Sequence, residues 1–297
     1  MELRISKDYL RLHFIVLIWG FTGVLGKLIP LPATQLVCYR MFWAAIGIFV
    51  WALYKNKKLA LPASAILPII GVGCIVALHW ITFFAAIKVS NVSVTVGCLA
   101  SATLFTSFIE PIVERRRIFW IEVVLGLGII AGLYVITQFA LQYYLGIMLA
   151  VTSAFLSSLF GVFNKQLTRR HDPVVISVYE MTAGFAAVAL YTVFVEGGIT
   201  QSPLNMHFSE MIYLLLLAFV CTSYAFVTSV DLLKTLSAYT IAIAINLEPI
   251  YSIILAYFIF GNSEKMNLGF YVGTLVILGV IFMHPILDRK FKPQIIP

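Results

Sequence analysis

Ala238 to Phe260 reads AYTIAIAINLEPIYSIILAYFIF, and this run decides the fold. At 1.5 Å per residue it is long enough to cross a hydrocarbon core about 30 Å thick. It carries a single acidic or basic side chain, Glu248, placed 14 residues after Lys234 and 13 before Gly261. In lipid such a run must satisfy its own backbone groups, and the alternation of a transmembrane barrel strand is missing, so the run is expected to be helical.

Working outward, comparable apolar stretches occur at about 12–29, 35–53, 65–87, 92–112, 118–137, 144–164, 174–195, 210–230 and 268–285. With 238–260 they predict ten transmembrane helices. Of 297 residues, 61% are hydrophobic and 11% charged, against about 25% charged in soluble domains. A soluble globule is excluded, and an all-α integral membrane protein is expected.

Sixteen of the twenty Lys and Arg residues fall in segments that ten spans put on one side, from Arg4, Lys7 and Arg11 to Arg289, Lys290 and Lys292. Lys27, Lys88 and Lys265 fall on the other side, and Arg40 lies within the second span. The positive-inside rule then puts both termini in the cytoplasm, in a plasma (inner) membrane. The net charge of +7 is a topology signal and not a nucleic-acid footprint. The first span is expected to remain as a mature helix, since no small-x-small cleavage site follows it. Cys38, Cys74, Cys98 and Cys221 sit in apolar spans without CxxC spacing, which suggests packing and neither a disulfide framework nor a metal site.

The two halves resemble each other. Gly23-Val24-Leu25-Gly26-Lys27 recurs as Gly161-Val162-Phe163-Asn164-Lys165, and Tyr39-Arg40-Met41 as Tyr179-Glu180-Met181. Ala86-Ile87-Lys88-Val89-Ser90 parallels Leu232-Leu233-Lys234-Thr235-Leu236, and Gly126 with Gly132 parallels Gly273 with Gly279. Glu110-Pro111 and Glu248-Pro249 look alike, but the register set by the lysines pairs Glu248 with Ala102. Five spans per half is an odd number, so two inverted five-helix repeats are expected, 1–140 and 141–297. Secondary transporters use that arrangement for alternating access.

The motifs resemble those of the EamA-type members of the drug/metabolite transporter (DMT) superfamily. The resemblance rests on Trp19-Gly20-Phe21 and Lys27, Tyr39-Arg40, Ala86-Ile87-Lys88-Val89-Ser90, Leu236-Ser237-Ala238, Leu247-Glu248-Pro249, Glu264 and the Gly273 to Val280 run. It implies a ten-helix bundle with cytoplasmic termini and a central cavity lined by spans 1, 3, 4, 6, 8 and 9. The chain departs from the family pattern where the fourth span ends in Ile109-Glu110-Pro111-Ile112-Val113-Glu114-Arg115, and where Asn262-Ser263 separate Gly261 from Glu264.

An ionisable group near the bilayer centre disfavours insertion by about 2.5 to 3.5 kcal/mol, so each is a candidate. Glu248, with Asn246 beside it, would bind a cationic or polar group or exchange a proton; the other reading is a protonated carboxyl bonded to a neighbouring helix. Pro249 favours a kink that frees carbonyls at substrate depth. His79, nine residues before Lys88, either relays a proton or is satisfied between helices. Trp19 and Trp80 either line the cavity and stack on substrate or pack elsewhere. Arg40 and Glu180 match across the repeat, too far apart in depth to pair. Arg40 either snorkels to headgroups or recognises an anion. Tyr239 is polar-tipped and within reach of a cavity. Glu110 and Glu114 are expected at the interface.

The reading is a secondary transporter, with export the favoured direction, that moves a small organic metabolite, amino acid or drug by alternating access, with proton or substrate exchange as the coupling. Direct ATP drive is excluded by the lack of a GxxxxGK[ST] loop. No cofactor is expected. The partners are the lipid bilayer and a small-molecule substrate, with the chain a monomer or homodimer. The alternative is an integral-membrane enzyme acting on lipid or isoprenoid substrates, disfavoured because HExxH, GxGD and DDxxD patterns are absent.

Overall fold

The computed structural model of the chain describes residues 2–115, 117, 120–139, 141–198 and 206–291. Among the described residues the secondary structure is helical, with no strand. Helices α1 (Glu2–Gly20) and α2 (Thr22–Leu28) are followed by α3 (Ala33–Tyr54), α4 (Ala63–Val89), α5 (Val92–Leu99), α6 (Ala102–Glu114) and α7 (Trp120–Phe139). The second half holds α8 (Tyr144–Leu167), α9 (Pro173–Phe194), α10 (Phe208–Ala218), α11 (Ala225–Leu232), α12 (Ala238–Ile245), α13 (Glu248–Phe260) and α14 (Leu268–Phe291). A π-helical turn, Phe219–Tyr224, joins α10 to α11.

Among the described residues eight segments are long and apolar enough to cross a membrane, some of them formed by two consecutive helices such as α5 with α6 and α12 with α13. The stretches expected at 118–137 and 268–285 are α7 and α14, which carry shorter apolar runs among the described residues, Val124–Ile136 and Leu268–Val280. These two helices pack on each other through glycine. A Cβ on Gly273 would stand 2.9 Å from the Gly132 carbonyl oxygen, so the backbones touch where side chains are missing. Gly73 of α4 meets α9 in the same way, where an added Cβ would lie 2.5 Å from the Glu180 carbonyl oxygen.

The fourth and last long segments are built alike. Asn91 caps α5 by accepting from the Val94 N–H at 2.8 Å, and Ser237 caps α12 by accepting from the Thr240 N–H at 2.9 Å. Each cap opens an eight-residue helix, a break, and a thirteen-residue helix. The breaks fall at Ala100–Ser101 and Asn246–Leu247, and each thirteen-residue helix ends on a positive-φ residue, Arg115 (54°) or Gly261 (58°). All of these positions correspond at an interval of 146 residues, the separation of Lys88 and Lys234.

Side chains satisfy the backbone groups freed at the breaks. The Ser101 hydroxyl donates to the Cys98 carbonyl at 2.8 Å, and Asn246 Nδ2 donates to the Ala242 carbonyl at 2.8 Å. The kink expected at Pro249 is a full break just before Glu248. Pro249 lies in the first turn of α13, where its missing N–H would have had no helical partner.

Two ends of the bundle are held by different polar contacts. At one, the Lys27 end, Glu264 accepts from Lys27 Nζ at 2.7 Å, the Val92 N–H at 3.1 Å, the Ser93 N–H at 2.9 Å and the Ser93 hydroxyl at 2.8 Å. At the other, the Lys165 end, Glu110 accepts from the N–H groups of Ala238 and Tyr239, both at 3.2 Å. Lys165 Nζ there donates to the Leu233 and Leu236 carbonyls, each at 2.7 Å. The start of each broken segment is thus covered by a carboxylate from near the end of the other, where the exposed N–H groups favour an anion. Glu110 is 2% exposed, since the first turn of α12 needs acceptors that water would otherwise supply.

Candidate functional site

The broken helices surround a cavity of about 1070 Å³ of empty space, mouth included. Its wall runs from Trp19, Arg40 and Glu248 in the middle of the bundle to Asn164 and Leu233 beside Lys165 and Lys234. No lining residue lies at the Glu264 contacts, so the cavity extends toward the Lys165 end and is shut at the Lys27 end. The lining comes from the spans the resemblance implies, with Arg40 of α3 in addition.

Six of the residues singled out from the sequence meet there: Glu248, Asn246, His79, Trp80, Trp19 and Arg40. Glu248 stands in the first turn of α13, and its carboxylate has no ion-pair partner among the described residues. Asn246 uses its amide on Thr103 Oγ1, at 2.6 Å, and on the break. Trp19 Nε1 donates to the Cys221 carbonyl at 3.0 Å, fixing the indole against the wall.

His79 is held by α8. Its Nδ1 lies 2.9 Å from the Ser153 carbonyl, while the Ser153 hydroxyl donates to the His79 carbonyl at 3.0 Å. The Ser153 Oγ also lies 2.8 Å from Nδ1, and because the Ser153 carbonyl can only accept, its contact favours a proton on Nδ1. These contacts join His79 of α4 to Ser153 of α8.

Arg40 does not snorkel. It is 1% exposed, and its Cζ stacks 3.8 Å from the Trp80 ring centre. The guanidinium Nε donates to Thr222 Oγ1 at 2.6 Å, and Thr222 itself donates to the Leu217 carbonyl at 2.7 Å. That carbonyl is five residues back, an acceptor that the π-helical turn makes available. The turn thus sets the hydroxyl that sets the arginine. Among the described residues Arg40 Nη1 has no hydrogen-bond partner, and neither do Thr22 Oγ1 and Asn164 Oδ1, which also belong to cavity-lining residues.

Two candidates lie outside the wall. Glu180 is fully buried behind it, with Oε2 accepting from Asn164 Nδ2 at 3.4 Å, and it forms no ion pair with Arg40. Tyr239 is buried at the start of α12 beneath Glu110. Sequence reasoning passed over Ser153, Thr222, Phe160 and Phe226. Small hydroxyls and phenylalanines are too frequent in apolar spans for spacing to single them out. His79, Arg40 and Trp80, the residues they touch, were the available signal.

The family comparison matches this architecture over both halves, since the EamA-like transporter family covers residues 9–138 and 144–284. The chain belongs to the EamA-like transporter family. It is an integral membrane transporter of the DMT superfamily, with a lipid bilayer around it and a small molecule as its substrate. An uncharacterized transporter of Archaeoglobus fulgidus is similar at 20% identity over 290 residues, covering 94% of this chain and 97% of that one. A protein of known crystal structure has the same fold at 17% identity and a TM-score of 0.72, over 97% of this EamA chain and 99% of its own.

Proposed function

We propose that this EamA protein is a secondary transporter with ten membrane spans in two inverted repeats, residues 1–140 and 141–297. It exports a small organic metabolite, amino acid or drug across the plasma membrane by alternating access, as a monomer or homodimer with both termini cytoplasmic. The observation that carries the reading is the recurrence of cap, break and positive-φ terminus 146 residues apart in α5–α6 and α12–α13. Two such segments threaded in opposite senses supply matching gates for a shared cavity.

The cavity is shut at the Lys27 end and extends to the Lys165 end, which the basic-residue count assigns to the cytoplasm. The conformation is accordingly inward-facing. Opening outward requires Glu264 to leave Lys27 and the first turn of α5. Arg40, His79, Asn246, Glu248, Trp19 and Trp80 form the binding and coupling site. Glu180 and Tyr239 act from behind it.

Glu248, reached alternately from the two sides, would carry a proton inward as substrate leaves. Glu248→Gln in proteoliposomes tests this, because the amide keeps the shape and cannot ionise. The protein should still fold, while the response of its flux to an imposed pH gradient disappears. An undiminished response would assign coupling to another group or to exchange alone.

A further inference from the structure

Each broken segment is entered by a tight turn that offers carbonyls ahead of its cap and N–H groups behind it. In the first half the carbonyls belong to Ile87 and Ser90 and the N–H groups to Val92 and Ser93; the same positions 146 residues on are Leu233 with Leu236 and Ala238 with Tyr239. Both N–H pairs hold a carboxylate from the other half of the chain, Glu264 on the first and Glu110 on the second. A lysine stands beside each turn. Lys27, in the last turn of α2, and Lys165, in the last turn of α8, match across the repeat.

The two lysines use their turns differently. Lys27 Nζ sits on the carboxylate, 2.7 Å from Glu264 Oε1, and among the described residues no hydrogen bond reaches the Ile87 or Ser90 carbonyl. Lys165 Nζ sits on the carbonyls, 2.7 Å from those of Leu233 and Leu236, and among the described residues it forms no ion pair with Glu110. Glu114, one turn farther along α6, is taken by Arg169 at 2.6 Å. Glu110 is therefore the carboxylate that shares a turn with Lys165, as Glu264 shares one with Lys27. The lysine-on-acid arrangement marks the shut end, and the lysine-on-carbonyl arrangement the end toward which the cavity extends.

An ammonium group held between packed helices cannot be left bare, so a rearrangement must hand each lysine a new partner as it removes the old one. We propose, on the alternating-access reading above, that the lysines exchange partner types when the transporter turns. Lys27 leaves Glu264 for the Ile87 and Ser90 carbonyls as Lys165 leaves Leu233 and Leu236 for Glu110. Each state then keeps one lysine–carboxylate pair at its shut end and one lysine on two carbonyls at its open end. Because the set of lysine contacts is the same in both, neither state is strongly favoured by them, and a modest difference in substrate binding is enough to move the equilibrium. Lys165 and Glu110 thus form the latch of the Lys165 end, although they do not pair in this conformation.

A membrane-permeant carbodiimide tests this on the native side chains, since it joins an amine to a carboxylate only where the two are in contact. The full-length protein is treated in proteoliposomes and digested, and the Lys27–Glu264 and Lys165–Glu110 products are quantified by mass spectrometry. The parent should yield mainly the Lys27–Glu264 product. Lys27→Met and Glu264→Gln each remove that pair, and each should raise the Lys165–Glu110 product about fivefold or more. Either variant is enough if the other fails to fold. No Lys27–Glu264 product in the parent, or a Lys165–Glu110 yield unchanged by the variants, overturns the exchange. Impermeant-maleimide labelling of Ser157→Cys, a cavity-lining position, in the same variants separates this claim from the one beneath it. Labelling from the Lys27 side without the Lys165–Glu110 product refutes the exchange and leaves alternating access standing. Neither labelling nor product contradicts alternating access, and the exchange with it. The product without labelling also refutes the exchange, because the pair would then form while the Lys27 end stays shut.

Discussion

At the scale of single residues, Asp172 shows how a polar contact ties together elements remote in sequence. Its carboxylate caps α9 by accepting from the Val174 N–H at 2.9 Å and also accepts from Lys57 Nζ at 2.7 Å. Partial burial pushes this carboxyl up, but the Lys57 hydrogen bond, the Val174 N–H and the lysine charges outweigh it, and the group ionises below its ordinary 3.8. A group lowered in this way stabilises the fold fully above its unfolded-state value, and the contribution disappears as pH falls through the folded-state value. Asp172→Ala should therefore lower stability by about 1 kcal/mol near neutrality, the usual effect of losing a helix cap. The difference from the parent should shrink below about pH 4. Thermal unfolding in detergent across that range checks it, and a difference independent of pH would remove the ionised form from the account. Around the cavity, Thr222 and Ser153 likewise hold the lining residues Arg40 and His79, and Asn246 in the wall holds Thr103.

At the scale of elements, α6 and α13 end alike with different residues in the same kind of position. Arg115 stands at φ 54°, ψ 35°, and Gly261 at φ 58°, ψ −126°. Side chains rarely tolerate the second, and a Cβ at Gly261 would meet no atom within 4 Å, so the position isolates backbone strain from packing. Gly261→Ala should be destabilising by roughly 1 to 3 kcal/mol, seen as earlier unfolding in a denaturant series. No change would show that the terminus relaxes freely. Much of this level was legible in the sequence, because hydropathy locates long apolar helices and the spacing of Lys88 and Lys234 sets the register of the two halves. The breaks at Ala100 and Asn246 were not legible. A helix interrupted in an apolar run keeps the same composition, and only Pro249 hinted at one of the two. The carboxylate caps were hidden for a related reason. Glu110 and Glu264 are separated by about 128 and 172 residues from the N–H groups they serve, Ala238 and Val92, so local pattern carried no trace of the pairing.

At the scale of the whole molecule, the cavity extends toward the Lys165 end while the Lys27–Glu264 ion pair holds the Lys27 end, which is the arrangement the proposed alternating access requires of one of its two states. Glu264 has a fully buried side chain and Lys27 one that is 27% exposed. Removing the charge of Glu264 leaves Lys27 without its anion and weakens four contacts at once, so the Lys27 end should open more readily. The site residues were largely legible here too, since Glu248, His79 and Arg40 are rare charged or titratable groups in apolar spans. What they touch depended on how the spans pack, which composition does not encode.

The most direct measurement is the side from which a cavity residue can be reached. With Cys38, Cys74, Cys98 and Cys221 replaced, Ser157→Cys would be labelled by a membrane-impermeant maleimide in inside-out and right-side-out vesicles. The account predicts labelling from the cytoplasmic side in the parent, and from both sides once Glu264→Gln loosens the Lys27 end. Labelling confined to one and the same side in both proteins, or from the outer side in the parent, would contradict it.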